Sequence, residues 1–181
     1  MRPRCSAFIA ASLDGYIARP DGAIDWLTPF NTPTEDYGFA RFYETVDALV
    51  IGRGTYDTVL GFDAWPYAGK RVIVMTRRPL ATAPRHGEET FAGEAAEVAV
   101  RVAGAAAGAR RVYVDGGDVI RQIVDDVTIS IVPIVLGGGI RLFAGGEGEH
   151  RLELEGQRAW ASGLVQMRYR VVREGGVAGK G

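Results

Sequence analysis

The chain is 181 residues long, carries a formal net charge of −1, and is 47% hydrophobic and 24% charged. This length corresponds to one domain that buries about 70% of its unfolded surface, and the near-zero charge gives no overall attraction to nucleic acid or anionic membranes. Cys5 is the only cysteine, so no internal disulfide points to secretion, and no apolar run reaches the ~20 residues of a membrane span. We therefore expect a cytoplasmic protein whose residues 1–174 form one domain, with a disordered tail over 175–181.

Strands and helices alternate over most of the chain. Short apolar runs predict strands, and apolar residues spaced by three and four predict helices. Thr32 or Thr34 is expected to cap the first helix. Strands are predicted at Cys5–Ala11, Ala48–Gly52, Arg71–Thr76, 111–116, 127–139 and in a C-terminal hairpin around Ser162-Gly163, and helices over 32–46, 55–61, 93–108 and 119–124. This alternation predicts an α/β protein with a mostly parallel central sheet and an antiparallel C-terminal hairpin.

Two strands end at glycine-rich corners that lead into helices. The segment VYVDGGDVIRQIV leaves its strand through Gly116-Gly117, and LVIGRGTYDTV does so through Gly52-Arg53-Gly54. Residues without a Cβ let the backbone approach something closely, and the first amides of the following helices would face it. A third strand ends in Thr76-Arg77-Arg78. Because ligands of open α/β sheets lie beyond the carboxyl ends of the parallel strands, we expect these features to share one ligand site.

The charges at these corners favour a dinucleotide with an extra phosphate. Where an NAD enzyme places an acid for the ribose diol, the strand end TRRP supplies cations, which favours NADPH. Arg53 adds a planar fork of donors. The alternative, in which Arg77 and Arg78 are a solvated surface pair, stays open. The motif G-x-G-x-x-G does not follow the first strand, so the usual dinucleotide fingerprint is absent.

Six motifs follow one another along the chain. They are SLDGYIA, IDWL, VIGRGTYDTV, GKRVIVMTRRP, VYVDGG and VPIVLGGGIRLF. In this order and spacing the chain resembles the dihydrofolate reductase superfamily, in its branch near the reductase domain of bacterial riboflavin biosynthesis, the C-terminal domain of a bifunctional deaminase-reductase. The resemblance runs from Ser6 to Val172 and implies a three-layer fold around an eight-stranded, mainly parallel sheet. It also implies that NADPH lies across the strand ends, with its nicotinamide against a planar N-heterocycle.

The resemblance implies a cofactor site built from the glycine corners and the strand end TRRP. The residues implied are Gly52, Arg53, Gly54 and Thr55 for the pyrophosphate and adenosine side, Thr76 and Arg77 for the 2′-phosphate, Gly116 and Gly117 beside the nicotinamide, and the amides of Asp118, Val119 and Ile120 for the pyrophosphate. The peptide between the two glycines is cis in relatives, and the resemblance implies the same here.

The resemblance also implies a substrate site under the loop Ser12–Asp25. The substrate-binding residues implied are Asp14, Trp26, Phe39 and Lys70. Hydride addition to a C=N bond requires a proton on nitrogen, so a carboxyl group with a raised pKa or an ordered water must assist. Asp36 is the predicted proton donor, with Glu35 as its rival. The alternatives are a core position for Trp26 and an ordinary helix-dipole role for Asp36.

Two positions depart from the family pattern. Folate reductases usually carry an arginine for the glutamate tail of folate where this chain has Lys70. Riboflavin-pathway reductases usually carry a basic residue where it has Tyr16. A lysine lacks the fork that binds a carboxylate in two bonds. Neither known substrate therefore follows from the resemblance.

The sequence thus predicts an NADPH-dependent reductase that transfers hydride to a small pterin- or pyrimidine-like heterocycle. The alternatives are the 5-amino-6-(5-phosphoribosylamino)uracil reductase of riboflavin biosynthesis and a non-catalytic NADPH- or nucleotide-binding regulatory protein. Because the segment TISIVPIVL is apolar and predicted near a sheet edge, we expect a two-fold homodimer built partly on the C-terminal sheet region. With one cysteine and two histidines, His86 and His150, in the whole sequence, no metal site is predicted.

Overall fold

A computed structural model of the chain describes residues 2–32, 35–80, 83–92, 96, 100–101, 108–143, 145 and 149–173. The strands are β1 (Arg4–Ser12), β2 (Tyr16–Ala18), β3 (Ala48–Gly52), β4 (Arg71–Met75), β5 (Glu89–Phe91), β6 (Arg111–Asp115), β7 (Asp126–Val132), β8 (Ile140–Arg141), β9 (Arg151–Ala159) and β10 (Val165–Val172). The helices are a 3-10 helix (Asp25–Phe30), α1 (Phe39–Glu44), α2 (Arg53–Val59) and α3 (Gly117–Ile123). No helix among the described residues is long and apolar enough to cross a membrane.

One eight-stranded sheet has the strand order β5-β4-β3-β6-β1-β7-β10-β9. The pairs from β5 through β7 are parallel, and the C-terminal hairpin adds β10 and β9 in antiparallel orientation. The prediction of a mostly parallel α/β sheet with an antiparallel hairpin is therefore confirmed. Parallel neighbours end at the same edge, so the strand ends at Gly52, Met75 and Asp115 come together.

The side chains of the central strands alternate between two cores, one on each face of the sheet. On β3, Leu49 and Ile51 face a cluster that includes Tyr56 of α2, whereas Val50 faces a cluster that includes Ile120 of α3. Leu49, Val50 and Ile51 are each 0% exposed, as expected of a strand in a sheet covered on both faces. This gives the three layers that the sequence predicts.

The predicted first helix is shorter than expected. It begins at Phe39, because Gly38 before it adopts a left-handed conformation with φ 84°. Thr32 forms an isolated bridge with Glu35 and does not cap the helix, so that prediction is wrong. Thr34, most of the predicted helix 93–108 and the predicted tail 175–181 lie outside the described residues.

Two further expectations are corrected by the sheet topology. The segment TISIVPIVL begins in β7, which is an interior strand paired with β1 on one side and β10 on the other, not an edge strand. The loop after the first strand contains β2, which pairs with β8 in a second, two-stranded sheet. Strands of two and three residues carry no periodic signal, so this small sheet could not be predicted from the sequence.

Candidate functional site

A cleft of about 1640 Å³ lies at the carboxyl ends of the central strands. Its walls are the starts of α2 and α3, the turn after β4, and the small sheet of β2 and β8. Of the predicted cofactor residues, the structure brings together Gly52, Arg53, Gly54, Thr55, Thr76, Arg77, Gly116, Gly117, Asp118 and Val119 along this cleft. Their role in binding a cofactor stays a prediction.

Ile120 is not part of this wall. Its side chain is 0% exposed in the core, and its amide donates a 2.9 Å hydrogen bond to the carbonyl of Gly116. Neither group is available to a ligand in the cleft. The prediction that Ile120 contacts a pyrophosphate group is therefore wrong.

At Gly116 and Gly117 the backbone lies very close to other parts of the protein. A Cβ on Gly116 would lie 3.2 Å from Oγ1 of Thr55 and 3.4 Å from the Cα of Gly52. A Cβ on Gly117 would lie 2.8 Å from the carbonyl oxygen of Leu142. The two glycines therefore make room first for the end of β3 and for the chain after β8, and only indirectly for a ligand.

The turn at this corner also differs from the expected one. None of the described peptide bonds is cis, so the cis peptide expected between Gly116 and Gly117 is not present. Gly116 instead adopts φ 95° and ψ 128°, a conformation open to glycine and rarely to other residues. This conformation turns the chain from β6 into α3.

The arginines of the cleft differ in their surroundings. Nε of Arg53 donates to both carboxylate oxygens of Asp57 at 2.8 Å, and one of its terminal nitrogens donates to the carbonyl of Pro79 at 3.0 Å. Arg77 and Arg78 are exposed in the turn after β4. Arg53 therefore helps to hold this turn, and the two exposed arginines place positive charge at this end of the cleft.

A smaller cavity of about 310 Å³ adjoins the cleft and shares Phe8, Ala10 and Leu27 with it. We call it the chamber. Its lining is mostly apolar and includes Phe39, whose contact with a substrate stays a prediction, together with the carboxyl-bearing residues Glu35 and Asp36.

The two neighbouring acids of the chamber have different partners. Glu35 accepts hydrogen bonds from the amide of Tyr37 at 2.8 Å and from the indole Nε1 of Trp160 at 2.9 Å. Asp36 is exposed, and its carboxylate accepts hydrogen bonds from the amides of Gly38 and Ala40 at 2.9 and 2.8 Å. Those two amides stabilise the carboxylate and lower the pKa of Asp36. The raised pKa expected of a proton donor is thus contradicted for Asp36, which has the helix-start role instead.

Among the carboxyl groups that the structure describes, Asp115 is the one whose pKa is raised. It ends β6, lines the cleft and is half-buried. Loss of solvent around the carboxylate raises its pKa, against the lowering effect of hydrogen bonds from the amide of Gly116 and the hydroxyl of Tyr113. In the sequence its signal is an acid that ends a mostly buried strand, at the residue before the two glycines.

The hydrogen bonds around Tyr113 support a protonated Asp115. The Tyr113 hydroxyl lies 3.0 Å from the carbonyl oxygen of Phe8 and 3.2 Å from Oδ2 of Asp115. One hydroxyl proton cannot serve two acceptors fully. If Asp115 carries a proton, Tyr113 donates to Phe8 and Asp115 donates to Tyr113, so all three groups are satisfied.

Three predicted substrate residues line neither cavity. Trp26 is 4% exposed and packs with Val132 and Leu164, which is the core alternative. Nζ of Lys70 donates at 2.6 Å to the carbonyl of Val46, just before the amino end of β3 and away from the strand ends that form the cleft. These placements contradict the predicted substrate contacts of Trp26 and Lys70.

Asp14 holds the small sheet in place instead of facing either cavity. Its carboxylate accepts hydrogen bonds from the hydroxyl of Ser12 at 2.7 Å and from the amides of Leu136 and Gly137 at 3.1 and 2.8 Å. These donors lower the pKa of Asp14 to about 2. The predicted substrate role of Asp14 is therefore replaced by a structural one. Among the residues that the structure describes, no group of histidine, cysteine and carboxylate side chains could hold a metal ion.

Comparison with known proteins gives a family match over most of the chain. A family model described as the RibD C-terminal domain matches residues 3–166. A crystal structure from Shewanella sp. PV-4, whose name places it in riboflavin biosynthesis, is 34% identical, with 94% of this chain and 99% of that chain covered and a TM-score of 0.81.

More distant structures share the fold. A deaminase/5-amino-6-(5-phosphoribosylamino)uracil reductase from Thermotoga maritima is 19% identical with a TM-score of 0.71, over 94% of this chain and 57% of that chain. Dihydrofolate reductase from Enterococcus faecalis, complexed with NADP(H), is 16% identical with a TM-score of 0.67, over 96% of this chain and 99% of that chain. These likenesses confirm the predicted dihydrofolate-reductase-like fold.

The contact between Gly117 and Leu142 predicts a stability effect. Substituting Gly117→Ala places a methyl group 2.8 Å from the Leu142 carbonyl oxygen, and overpacking of this kind lowers the free energy of unfolding by about 1–3 kcal/mol. Gly54→Ala is the matched control, because its Cβ would meet nothing within 4 Å; alanine within α2 is expected to be neutral or to stabilise by up to about 1 kcal/mol. Urea unfolding measures both. Equal stability of the Gly117→Ala variant and the wild type would contradict this account of the corner.

Proposed function

The chain belongs to the RibD C-terminal domain family, and from this premise we propose that it is a reductase that uses NADPH to transfer hydride to a small pterin- or pyrimidine-like heterocycle. One observation carries the proposal: a long cleft with cations at one end meets a small apolar chamber along Phe8, Ala10 and Leu27. Such an arrangement suits a dinucleotide in the cleft whose reactive end reaches a flat substrate in the chamber.

The cleft fits the dinucleotide in size and in charge. Its volume of about 1640 Å³ exceeds the range of about 300–1,000 Å³ typical of smaller ligands. Arg77 and Arg78 can pair with a 2′-phosphate in the turn after β4, and the starts of α2 and α3 present backbone amides to the pyrophosphate. When bound, the reduced nicotinamide supplies the hydride.

The chamber fits a planar heterocycle that carries N–H groups. Phe8 and Phe39 contact each other at 5.5 Å between ring centroids and form an aromatic wall. The Glu35 carboxylate, held by Tyr37 and Trp160, accepts hydrogen bonds from ring or exocyclic N–H groups. The chamber therefore selects flat, nitrogen-rich rings.

Asp115 is the proposed source of the proton. Reduction of a C=N bond leaves a nitrogen that must be protonated. Asp115 lines the cleft, and the hydroxyl of Tyr113 connects its carboxyl group to the carbonyl of Phe8, a residue that lines both the cleft and the chamber. The raised pKa of Asp115 favours the acid form, which can donate a proton. This role replaces the one predicted for Asp36.

A second candidate is reduction of 5-amino-6-(5-phosphoribosylamino)uracil, the reaction in the name of the Thermotoga maritima protein. Membership of the RibD C-terminal domain family favours it. This substrate is a single-ring pyrimidine that carries a phosphorylated ribose, whereas a pterin has two fused rings and no phosphorylated ribose. The two candidates are therefore separated by the substrate that is consumed.

We expect NADPH oxidation with a member of a panel of dihydrofolate, pterins and phosphorylated aminouracil ribosides. Asp115→Asn, which removes the donor proton and keeps the shape, should lower kcat by about 100-fold. The control Asp63→Asn changes an exposed loop acid and should leave kcat unchanged. Because the acid form of Asp115 exists below its raised pKa, the wild-type kcat should fall as pH rises through that pKa, and the variant should lack this fall.

Three outcomes would count against these proposals. NADPH binding without oxidation by any member of the panel would indicate the non-catalytic binding protein. If NADPH did not bind, the proposal that NADPH is the cofactor would be wrong. Full activity of Asp115→Asn would assign the proton to another group.

The cofactor preference is tested separately. We expect NADPH to bind at least about tenfold more tightly than NADH, since one charge-assisted contact to the 2′-phosphate contributes about 1.4 kcal/mol. Arg77→Ala should reduce this ratio and leave the NADH affinity nearly unchanged. The control Arg85→Ala alters an exposed arginine outside the cleft lining, and it should leave the affinities for NADPH and NADH unchanged. Calorimetric titration measures the affinities, and equal wild-type affinity for the two cofactors would contradict the proposal.

We also propose a two-fold homodimer that uses the C-terminal hairpin. The edge strand β9 exposes Leu152 at 42% and Leu154 at 50%, and an exposed edge with apolar side chains is a surface suited to pairing. Light scattering at micromolar concentration should give a dimer, and Leu154→Arg should give a monomer. The control Leu60→Arg changes a leucine that is 38% exposed at the end of α2 and should remain dimeric. A monomeric wild type would rule out the dimer.

A further inference from the structure

The small sheet carries a cation that the functional proposal does not use. Tyr16 of β2 pairs with Arg141 of β8, and both residues line the cleft. The guanidinium carbon of Arg141 lies 4.7 Å from the centroid of the Tyr16 ring. A planar guanidinium over an aromatic face is attracted to it and keeps its N–H edge for hydrogen bonds.

The backbone of Arg141 is fixed on both sides. The next residue, Leu142, is 3% exposed and donates its amide to the carbonyl of Gly15 at 3.0 Å. The carbonyl oxygen of Arg141 would lie 3.1 Å from a Cβ on Gly117, so this strand packs against the start of α3. The tyrosine ring and the backbone together place the cation on the cleft wall, and no carboxylate among the described residues pairs with it.

The charge of Arg141 differs in this respect from those of other arginines near the cleft. Arg53 forms an ion pair with Asp57, and Arg19 forms one with Asp25. Within the part of the chain that the structure describes, the ring of Tyr16 is the contact recorded for the guanidinium of Arg141. An aromatic ring orients a cation and leaves its net charge in place, so the charge remains available to an anion.

We propose that Arg141, oriented by Tyr16, forms a binding subsite for a phosphoryl group on the cleft wall. This subsite is distinct from the turn of Arg77 and Arg78. That turn follows β4, whereas Arg141 packs against the chain that leaves β6, and β3 lies between those two strands. A phosphoryl group there belongs either to the pyrophosphate of a dinucleotide or to a phosphorylated sugar on the substrate. The choice between these two sources rests on the proposed function, whereas the anion subsite itself does not.

Titration calorimetry with four probes tests the subsite in the full-length protein. The probes are NADPH, NADH, ribose 5-phosphate and inorganic pyrophosphate. Arg141→Gln should weaken pyrophosphate binding about tenfold, the size of one charge-assisted contact. If the group is the dinucleotide's, NADPH and NADH should weaken by the same factor, so that their ratio is kept. If it is the substrate's, both cofactors should bind as in the wild type and ribose 5-phosphate should be the probe that is lost.

The matched control is Arg158→Gln. Arg158 stacks on Trp160 at 4.6 Å in the C-terminal hairpin and lines neither the cleft nor the chamber. The Arg158→Gln substitution therefore removes the same charge from the same kind of stacked contact, and it should leave the affinities for all four probes unchanged.

Variants of Tyr16 test the positioning of the cation. Tyr16→Phe keeps the ring face and should bind pyrophosphate as the wild type does. Tyr16→Leu removes the ring and should weaken binding about threefold, in keeping with a partly exposed cation–π contact. Identical affinities of both variants would show that the ring does not position Arg141.

Unchanged affinities of Arg141→Gln for all four probes would overturn the inference, even if the wild type reduces a substrate with NADPH. The converse result is distinguishable. If the wild type does not bind NADPH but binds pyrophosphate in an Arg141-dependent manner, the proposed function fails and the anion subsite stands. Circular dichroism of each variant confirms that the comparison is made between folded proteins.

Discussion

The close backbone approach at the carboxyl ends of β3 and β6 is the constraint on which the cleft depends. These strands are neighbours in the sheet, so their chains leave at the same edge and must turn into α2 and α3 side by side. The turns fit because Gly116 has no Cβ to press on Thr55 and Gly52, and because Gly117 lets the chain at Leu142 pack on the start of α3. A side chain at Gly116 or Gly117 would push apart the walls that bound the cleft, whereas a Cβ on Gly52 would meet its nearest atoms at an ordinary 3.8 Å.

The same contact explains the chemistry of Asp115. The residue ends β6 one position before the close approach, so its carboxyl group lies between packed backbone and the hydroxyl of Tyr113. The packed backbone removes part of the solvent around this carboxyl group, and it cannot move without losing the glycine contacts. The raised pKa of Asp115 is thus a consequence of how the strands end, and the local sequence, strand then acid then two glycines, encodes both the turn and the acid that it encloses.

Prediction from the sequence was accurate where apolar runs specify strands. It was inaccurate where tertiary contacts determine the surroundings of an individual side chain. The order of strands and helices follows from periodicity, and the position of the cleft follows from the rule that ligands of open α/β sheets lie beyond the carboxyl ends of the parallel strands. Periodicity does not tell which hydrogen-bond partners the two adjacent acids Glu35 and Asp36 have, because the chain before α1 is irregular and Tyr37 itself has φ 55°. Lys70 and Trp26 were placed by resemblance, and the structure assigns them to a backbone carbonyl and to the core.

The charge of the whole molecule cannot guide an anionic ligand, since it is −1. Recognition must therefore depend on individual cations within the cleft. At physiological ionic strength, charges separated by more than about 8 Å are largely screened where solvent reaches them. Arg77 lies in the turn after β4, and Arg141 lies on β8. Under the functions proposed above, each cation would act mainly on the anionic group next to it. A nearly neutral chain would then bind a long anionic ligand through several separate contacts in the cleft.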